Sequence, residues 1–209
     1  MHKFRAHSIG VLMTEPKLKS EVLSVGAKTF VETMAKQFVY GYDESISSKY
    51  LEKGIAVEDD SIALYNEVFF TNHRKNMERR SNEWVQGEAD IVAADRIIDT
   101  KSSWSLSTFP ATSEAATDKG YEWQVRTYMM LWDKPFAEVA HCLVNTPDHL
   151  IGYENPDLHY VDHINPALRV TRVLYERDAT LEERIKEKVG HARSYFDLMV
   201  KKIADQHGA

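Results

Sequence analysis

The run Gly87-Glu88-Ala89-Asp90-Ile91-Val92-Ala93-Ala94-Asp95-Arg96-Ile97-Ile98-Asp99-Thr100-Lys101 constrains the fold more than any other part of the chain. Ile91, Val92, Ile97 and Ile98 favour extended backbone, and Ala94-Asp95 supplies a tight connection between them, so the run reads as a β-hairpin. Its two ends must then meet. Side chains two apart on a strand share a face, so Asp99 and Lys101 point one way and Thr100 the other. With Asp90 entering the hairpin, two carboxylates and one ammonium converge at one end of a small sheet.

The surrounding pattern supplies helices on either side. Ser24 caps a helix from Val25 to Tyr40 that stops at Gly41, and a second helix runs from about Ser48 to Phe70. A β-rich stretch from about Glu78 to Lys101 follows, then a polar, mobile segment from Ser102 to Gly120. A helix from Tyr121 to Trp132, strands over Phe136 to Asn145 and Arg169 to Tyr175, and a charge-laced helix from Asp178 to about Ala204 complete the chain. This order implies an α/β (α+β) fold with a central mixed β-sheet flanked by helices. No repeat or linker divides the 209 residues, so one domain over 1–209 is expected.

Composition narrows the chemistry. The single cysteine, Cys142, excludes an internal disulfide and a four-cysteine cluster, so any metal must be held by oxygen or imidazole. The nine histidines show no tight ligand spacing, and no phosphate-binding Gly-rich loop with Lys is present, which argues against a histidine zinc site and an ATP motor. No run approaches a membrane span and Met1-His2-Lys3-Phe4-Arg5 lacks the core of a signal peptide, so a cytoplasmic protein is expected. A net charge of -6 argues against non-specific coating of nucleic acid, although His73-Arg74-Lys75 with Arg79-Arg80 forms a basic strip. That strip reads either as a nucleic-acid contact through Arg74 and Lys75 or as a solvated loop.

Two polar residues occupy apolar stripes. In the second helix Glu58 fills a place in the stripe of Ile55, Ile62, Tyr65 and Phe69, where a carboxylate needs a cation, a metal or a structural salt bridge. In the helix after Tyr121, Gln124 lies within the stripe of Tyr121, Val125, Tyr128, Leu131 and Trp132, one turn from Tyr128. Gln124 reads alternatively as a cap for a buried backbone group. Trp104 follows the hairpin and reads either as a platform for a nucleic-acid base or as a core anchor.

The chain order of an inward helical Glu, an acid entering a hairpin, Asp-x-Lys leaving it and a Gln-x-x-x-Tyr helix resembles the PD-(D/E)xK nuclease superfamily. Within it, the nearest likeness is to the phage lambda exonuclease, YqaJ-like viral recombinase and RecB-nuclease branch, over roughly residues 1 to 176. The resemblance implies a restriction-endonuclease-like core with Glu58, Asp90, Asp99, Lys101, Gln124 and Tyr128 as catalytic residues. The acid before Lys101 is Asp99 where Glu is commoner in this branch. It further implies that Glu58, Asp90, Asp99 and the backbone carbonyl of Thr100 hold Mg2+, with Mn2+ able to substitute, in a site for two ions. Ser8-Ile9-Gly10, with Arg5 nearby, corresponds to the family's 5'-phosphate-binding element. A metal-dependent DNA exonuclease of phage-type recombination is thus expected. It would resect duplex ends 5' to 3', with a single-strand annealing protein as partner and a ring-shaped trimer as assembly. The competing readings are an endonuclease of restriction or repair type and a non-catalytic DNA-binding protein on the same fold.

Overall fold

The structure is a computed structural model that describes residues 3–44 and 47–207. Seven strands and eight α-helices are found among them, in the order β1 (Phe4–Arg5), α1 (Ile9–Leu12), α2 (Val25–Tyr40), α3 (Lys49–Ala56), α4 (Glu58–Phe69), β2 (Arg80–Ser81), β3 (Val85–Gly87), β4 (Ile91–Val92), β5 (Arg96–Ser102), α5 (Ser113–Ala116), α6 (Lys119–Trp132), β6 (Phe136–Cys142), α7 (Asp148–Ile151), β7 (Val170–Glu176) and α8 (Ala179–His207). The main sheet runs β4-β5-β6-β7, with β5 and β6 parallel and both outer pairs antiparallel. Parallel neighbours need a crossover, and α6 supplies it. A small second sheet runs β1-β3-β2, and α6 contacts its strands β2 and β3.

Alternation along β5 and β6 divides the core. Ile97, Ala137 and Val139 pack under Val125, Tyr128, Met129 and Trp132 of α6. Ile98 and Ala140 pack on the other face against Ile62 and Tyr65 of α4. The sheet is therefore covered on both sides. The far side of α6, through Trp123, Met130 and Leu131, meets a separate cluster built by α1, α2 and α8 around Phe4, Ile9, Leu12, Val31 and Ile185.

The predicted hairpin forms in the expected register. Ile91 pairs with Ile98 and Val92 with Ile97, and the Ala93 N–H closes the turn on the Arg96 carbonyl at 2.9 Å. Ser24 caps α2 by accepting from the Ala27 N–H, and Gly41 ends that helix in the left-handed conformation. Two expectations need correction.

The helix predicted over Ser48 to Phe70 is broken at Val57, whose φ of -117° and ψ of 18° divide α3 from α4. Glu58, Asp59 and Asp60 then occupy the first turn of α4, where acids favour the positive end of the helix dipole. Ile55 is 70% exposed, so the apolar stripe assigned to it and Glu58 does not exist as a continuous helical face.

The segment from Ser102 to Gly120, expected to be polar and mobile, contains a 3-10 turn at Leu106–Thr108 and helix α5. Some of its polar groups pair within it, the Ser105 N–H donating to the Thr108 hydroxyl, and others tie it to its neighbours, the Ser113 hydroxyl donating to the Arg172 carbonyl at 3.1 Å. No described helix is long and apolar enough to cross a membrane.

Glycine permits two close approaches that set the site. At Gly10 a Cβ would lie 2.7 Å from the Gly120 Cα, so α1 crosses the start of α6 backbone to backbone. At Gly87 a Cβ would lie 2.7 Å from Cε1 of Tyr128, which lets β3 press against the ring.

Candidate active site

Asp99 and Lys101 project from the α6 face of β5, as the strand period requires, and their surroundings are supplied by α6 and the hairpin. Asp99 is buried at 1% exposure, and its Oδ2 lies 2.7 Å from Lys101 Nζ. Gln124, 7% exposed, closes the group. Its Nε2 donates to Asp99 Oδ1 at 3.2 Å and to the Tyr128 hydroxyl at 3.0 Å, and its Oε1 accepts from Lys101 Nζ at 3.3 Å. A carboxylate only accepts and an ammonium only donates, so this amide has one orientation compatible with both partners. The Tyr121 ring lies 4.7 Å below Lys101 Nζ and adds a cation–π contact.

Asp90 faces the same space from the other arm of the hairpin. Its Oδ2 accepts from the Thr100 N–H at 2.7 Å and the Thr100 hydroxyl at 3.0 Å. Burial, and then the charge of Asp99, push the Asp90 carboxyl up to about 7. Burial works against the Lys101 charge, but Asp99 and Asp90 outweigh it and hold the ammonium above its ordinary pKa. Burial followed by the Asp99 charge also raises the Tyr128 phenol, which stays protonated.

A cleft of about 450 Å³ opens on this group and is lined by Glu58, Asp90, Asp99, Thr100, Lys101 and Gln124, with Tyr50, Leu51 and Ile55 of α3 on its outer wall. Tyr128 lies behind Gln124 and instead borders a smaller cavity of about 110 Å³ shared with Arg5, His7, Arg79 and Glu88. Glu58 is half-buried, and its Oε2 is bound by Lys75 Nζ at 2.8 Å.

The donor set bears on a metal in two ways. Among the described residues no three His, Cys, Asp or Glu side chains converge closely enough to ligate one ion as they stand. Yet Asp99 Oδ2, although close to Lys101, is a buried oxygen that takes no hydrogen bond of good geometry. A buried, under-satisfied carboxylate beside a second carboxyl resisting ionisation is the setting that a hard cation relieves. The chemistry of the residues present therefore fits Mg2+ or Mn2+, and Glu58, held by Lys75, lines the same cleft.

The other sequence-derived candidates fall into place less centrally. Trp104 is 7% exposed, with Tyr50 and His159 edge-on to its ring and Nε1 donating to Glu154 at 2.9 Å. That burial makes it a core anchor and corrects the base-platform reading. Ser8 donates its hydroxyl to the Arg5 carbonyl at 2.8 Å, while Arg5 is exposed beside the smaller cavity. Arg74 is exposed, Lys75 is taken by Glu58, and Arg79 and Arg80 pair with Glu88 and Glu78. The basic strip is thus largely matched by acids.

Residues not singled out from the sequence include Tyr121, whose place in an apolar stripe hid its contact with Lys101, and Glu138. Glu138 is fully buried on β6 and is held by Arg96 at 2.6 Å, Arg172 at 3.2 Å and the Tyr65 hydroxyl at 3.1 Å. An acid inside the apolar run of a strand was its only signal.

No family model and no curated protein sequence matches the chain. Among solved structures, it is similar to the alkaline exonuclease LHK-Exo from Laribacter hongkongensis, with 14% identity, a TM-score of 0.73, and coverage of 99% of this chain and 93% of that one. The same enzyme in complex with dAMP gives 15% identity and a TM-score of 0.72, again covering 99% and 93%. At those identities the likeness is one of fold. A phage-related exonuclease from Haemophilus somnus 129PT matches with a TM-score of 0.91, covering 97% of this chain and 96% of that one. Its 34% identity over nearly the full length of both chains carries the relationship beyond fold, and the protein belongs to the phage-related exonuclease family.

Proposed function

We propose that the protein is a divalent-metal-dependent deoxyribonuclease of the PD-(D/E)xK type that hydrolyses duplex DNA from its ends, 5' to 3'. The observation that supports this most is the closed circuit of Asp99, Lys101 and Gln124, backed by Tyr128, facing Asp90 across one cleft. Asp90, Asp99 and the Thr100 carbonyl, joined by Glu58, would hold two Mg2+ or Mn2+ ions. Such ions lower the pKa of water and offset phosphate charge.

The chain's own groups account for the rest. Lys101, whose ammonium is favoured by its two carboxylate neighbours, stabilises negative charge developing on the phosphate and orients water. Gln124 fixes both Asp99 and Lys101, and Tyr128 fixes Gln124. Tyr50, Leu51 and Ile55 offer an apolar wall to sugars and bases entering the cleft. Arg5, with His7 and Arg79 beside the smaller cavity, is the group suited to a 5'-phosphate. A trimeric ring and a single-strand annealing partner follow from the lambda-like resemblance and belong to this proposal.

The test uses end-labelled linear duplex with 5'-phosphate or 5'-hydroxyl ends, in Mg2+ or EDTA, beside a covalently closed circle. Mononucleotides should leave the linear substrate only, in order from the 5' end, faster with a 5'-phosphate and not in EDTA. Cleavage of the circle would replace the exonuclease reading with an endonuclease. Absence of any degradation with Mg2+ or Mn2+ would overturn the proposal.

A further inference from the structure

Lys53 of α3 lies outside the circuit just described, and it is 1% exposed. Its Nζ donates to the carbonyls of Ser103 at 2.7 Å, Trp104 at 2.9 Å and Val144 at 3.0 Å. An ammonium has three donors, and all three are used on backbone. These carbonyls lie just past the ends of β5 and β6, where the parallel ladder ceases: the Ser103 N–H still bonds to the Cys142 carbonyl at 2.9 Å, and beyond it the strands part. Thr146 donates its hydroxyl to the same Trp104 carbonyl at 3.0 Å.

Burying an ammonium is costly, and an apolar side chain of equal length would cover the same space without that cost. What only the ammonium provides is a fixed distance between α3 and two strand ends. Five residues after Lys53 comes Glu58, and two residues before Ser103 comes Lys101. We propose that Lys53 is a positioning residue of the nuclease site, setting the spacing between Glu58 on one side and Asp99 and Lys101 on the other, and thereby the affinity for divalent cations. This rests on the metal-dependent reading given above.

The test is Mn2+ binding to the full-length protein by isothermal titration calorimetry, with DNA degradation measured in parallel. In Lys53→Met, Mn2+ should bind about tenfold more weakly, as for other groups that orient metal ligands. The kcat should fall while the KM for DNA stays within about twofold, because Lys53 does not line the cleft. Lys53→Arg, which keeps donors at this position, should recover most of the affinity. A folded Lys53→Met protein with wild-type Mn2+ affinity overturns the positioning role and leaves the nuclease reading standing. A wild-type protein that binds no Mn2+ overturns both. If Lys53→Met does not fold, Lys53→Gln keeps polar hydrogens at this position but reaches fewer of the three carbonyls. Its Mn2+ affinity should fall about twofold to threefold, and wild-type affinity there overturns the proposal.

Discussion

Asp90 takes both donors of Thr100, the backbone N–H at 2.7 Å and the hydroxyl at 3.0 Å, on a single oxygen. The side chain of one hairpin arm is thus clamped to the backbone of the other, directly behind Asp99. Thr100 points away from Asp99 and Lys101, so its hydroxyl reaches Asp90 from the α4 side of the sheet. Thr100→Val should keep the fold and weaken Mg2+ binding about tenfold, about 1.5 kcal/mol for a hydrogen bond to a charged acceptor. A Mg2+ titration of activity with unchanged half-saturation would show that the hydroxyl is not needed.

The Asp90 carboxyl, raised to about 7 by burial and by Asp99, makes metal-free stability fall as pH rises. In the unfolded chain it ionises near 3.8, so between about 4 and 7 the folded state keeps a proton that the unfolded state has lost. This contribution to stability is fully present below pH 3.8 and is lost as pH rises through 7. Melting of the metal-free protein should show this slope, Asp90→Asn should flatten it, and Mg2+ should stabilise most above pH 7.

Gln124 touches three members of the site, whereas Tyr128 touches only Gln124 within it. Gln124→Leu should lower kcat about tenfold to a hundredfold, and Tyr128→Phe by less. Steady-state rates on linear duplex would check the order, and the reverse ranking would mean that the phenol acts directly.

Gly87→Ala should destabilise by about 1–3 kcal/mol, because the added methyl meets the Tyr128 ring and the Ala6 side chain. Pairing it with Tyr128→Leu should recover part of the loss in chemical denaturation. Additive losses in the double variant would place the strain elsewhere.

The Lys75–Glu58 pair is half-exposed and contributes under about 1 kcal/mol to stability. Lys75→Ala should leave the melting temperature nearly unchanged and lower the Mg2+ needed for half activity, since Glu58 is released toward the cleft. A higher Mg2+ requirement in that variant would show that Lys75 assists the site.

Local chemistry decided what the sequence could announce. The hairpin from Ile91 to Ile98, the shared face of Asp99 and Lys101, the Ser24 cap and the inward turn of Gln124 all follow from periods of two or 3.6 residues and from capping, which depend only on near neighbours. The order of acid, Asp-x-Lys and Gln-x-x-x-Tyr was legible through its resemblance to the PD-(D/E)xK nucleases. Tertiary structure decided the remainder. The break at Val57 turns Glu58 from a core position into a helix start paired with Lys75, because the packing of two short helices overrides one continuous stripe. Trp104 became an anchor and Lys53 a buried tie only where the ends of β5 and β6 met α3. Such contacts join residues tens of positions apart, and no local period encodes them.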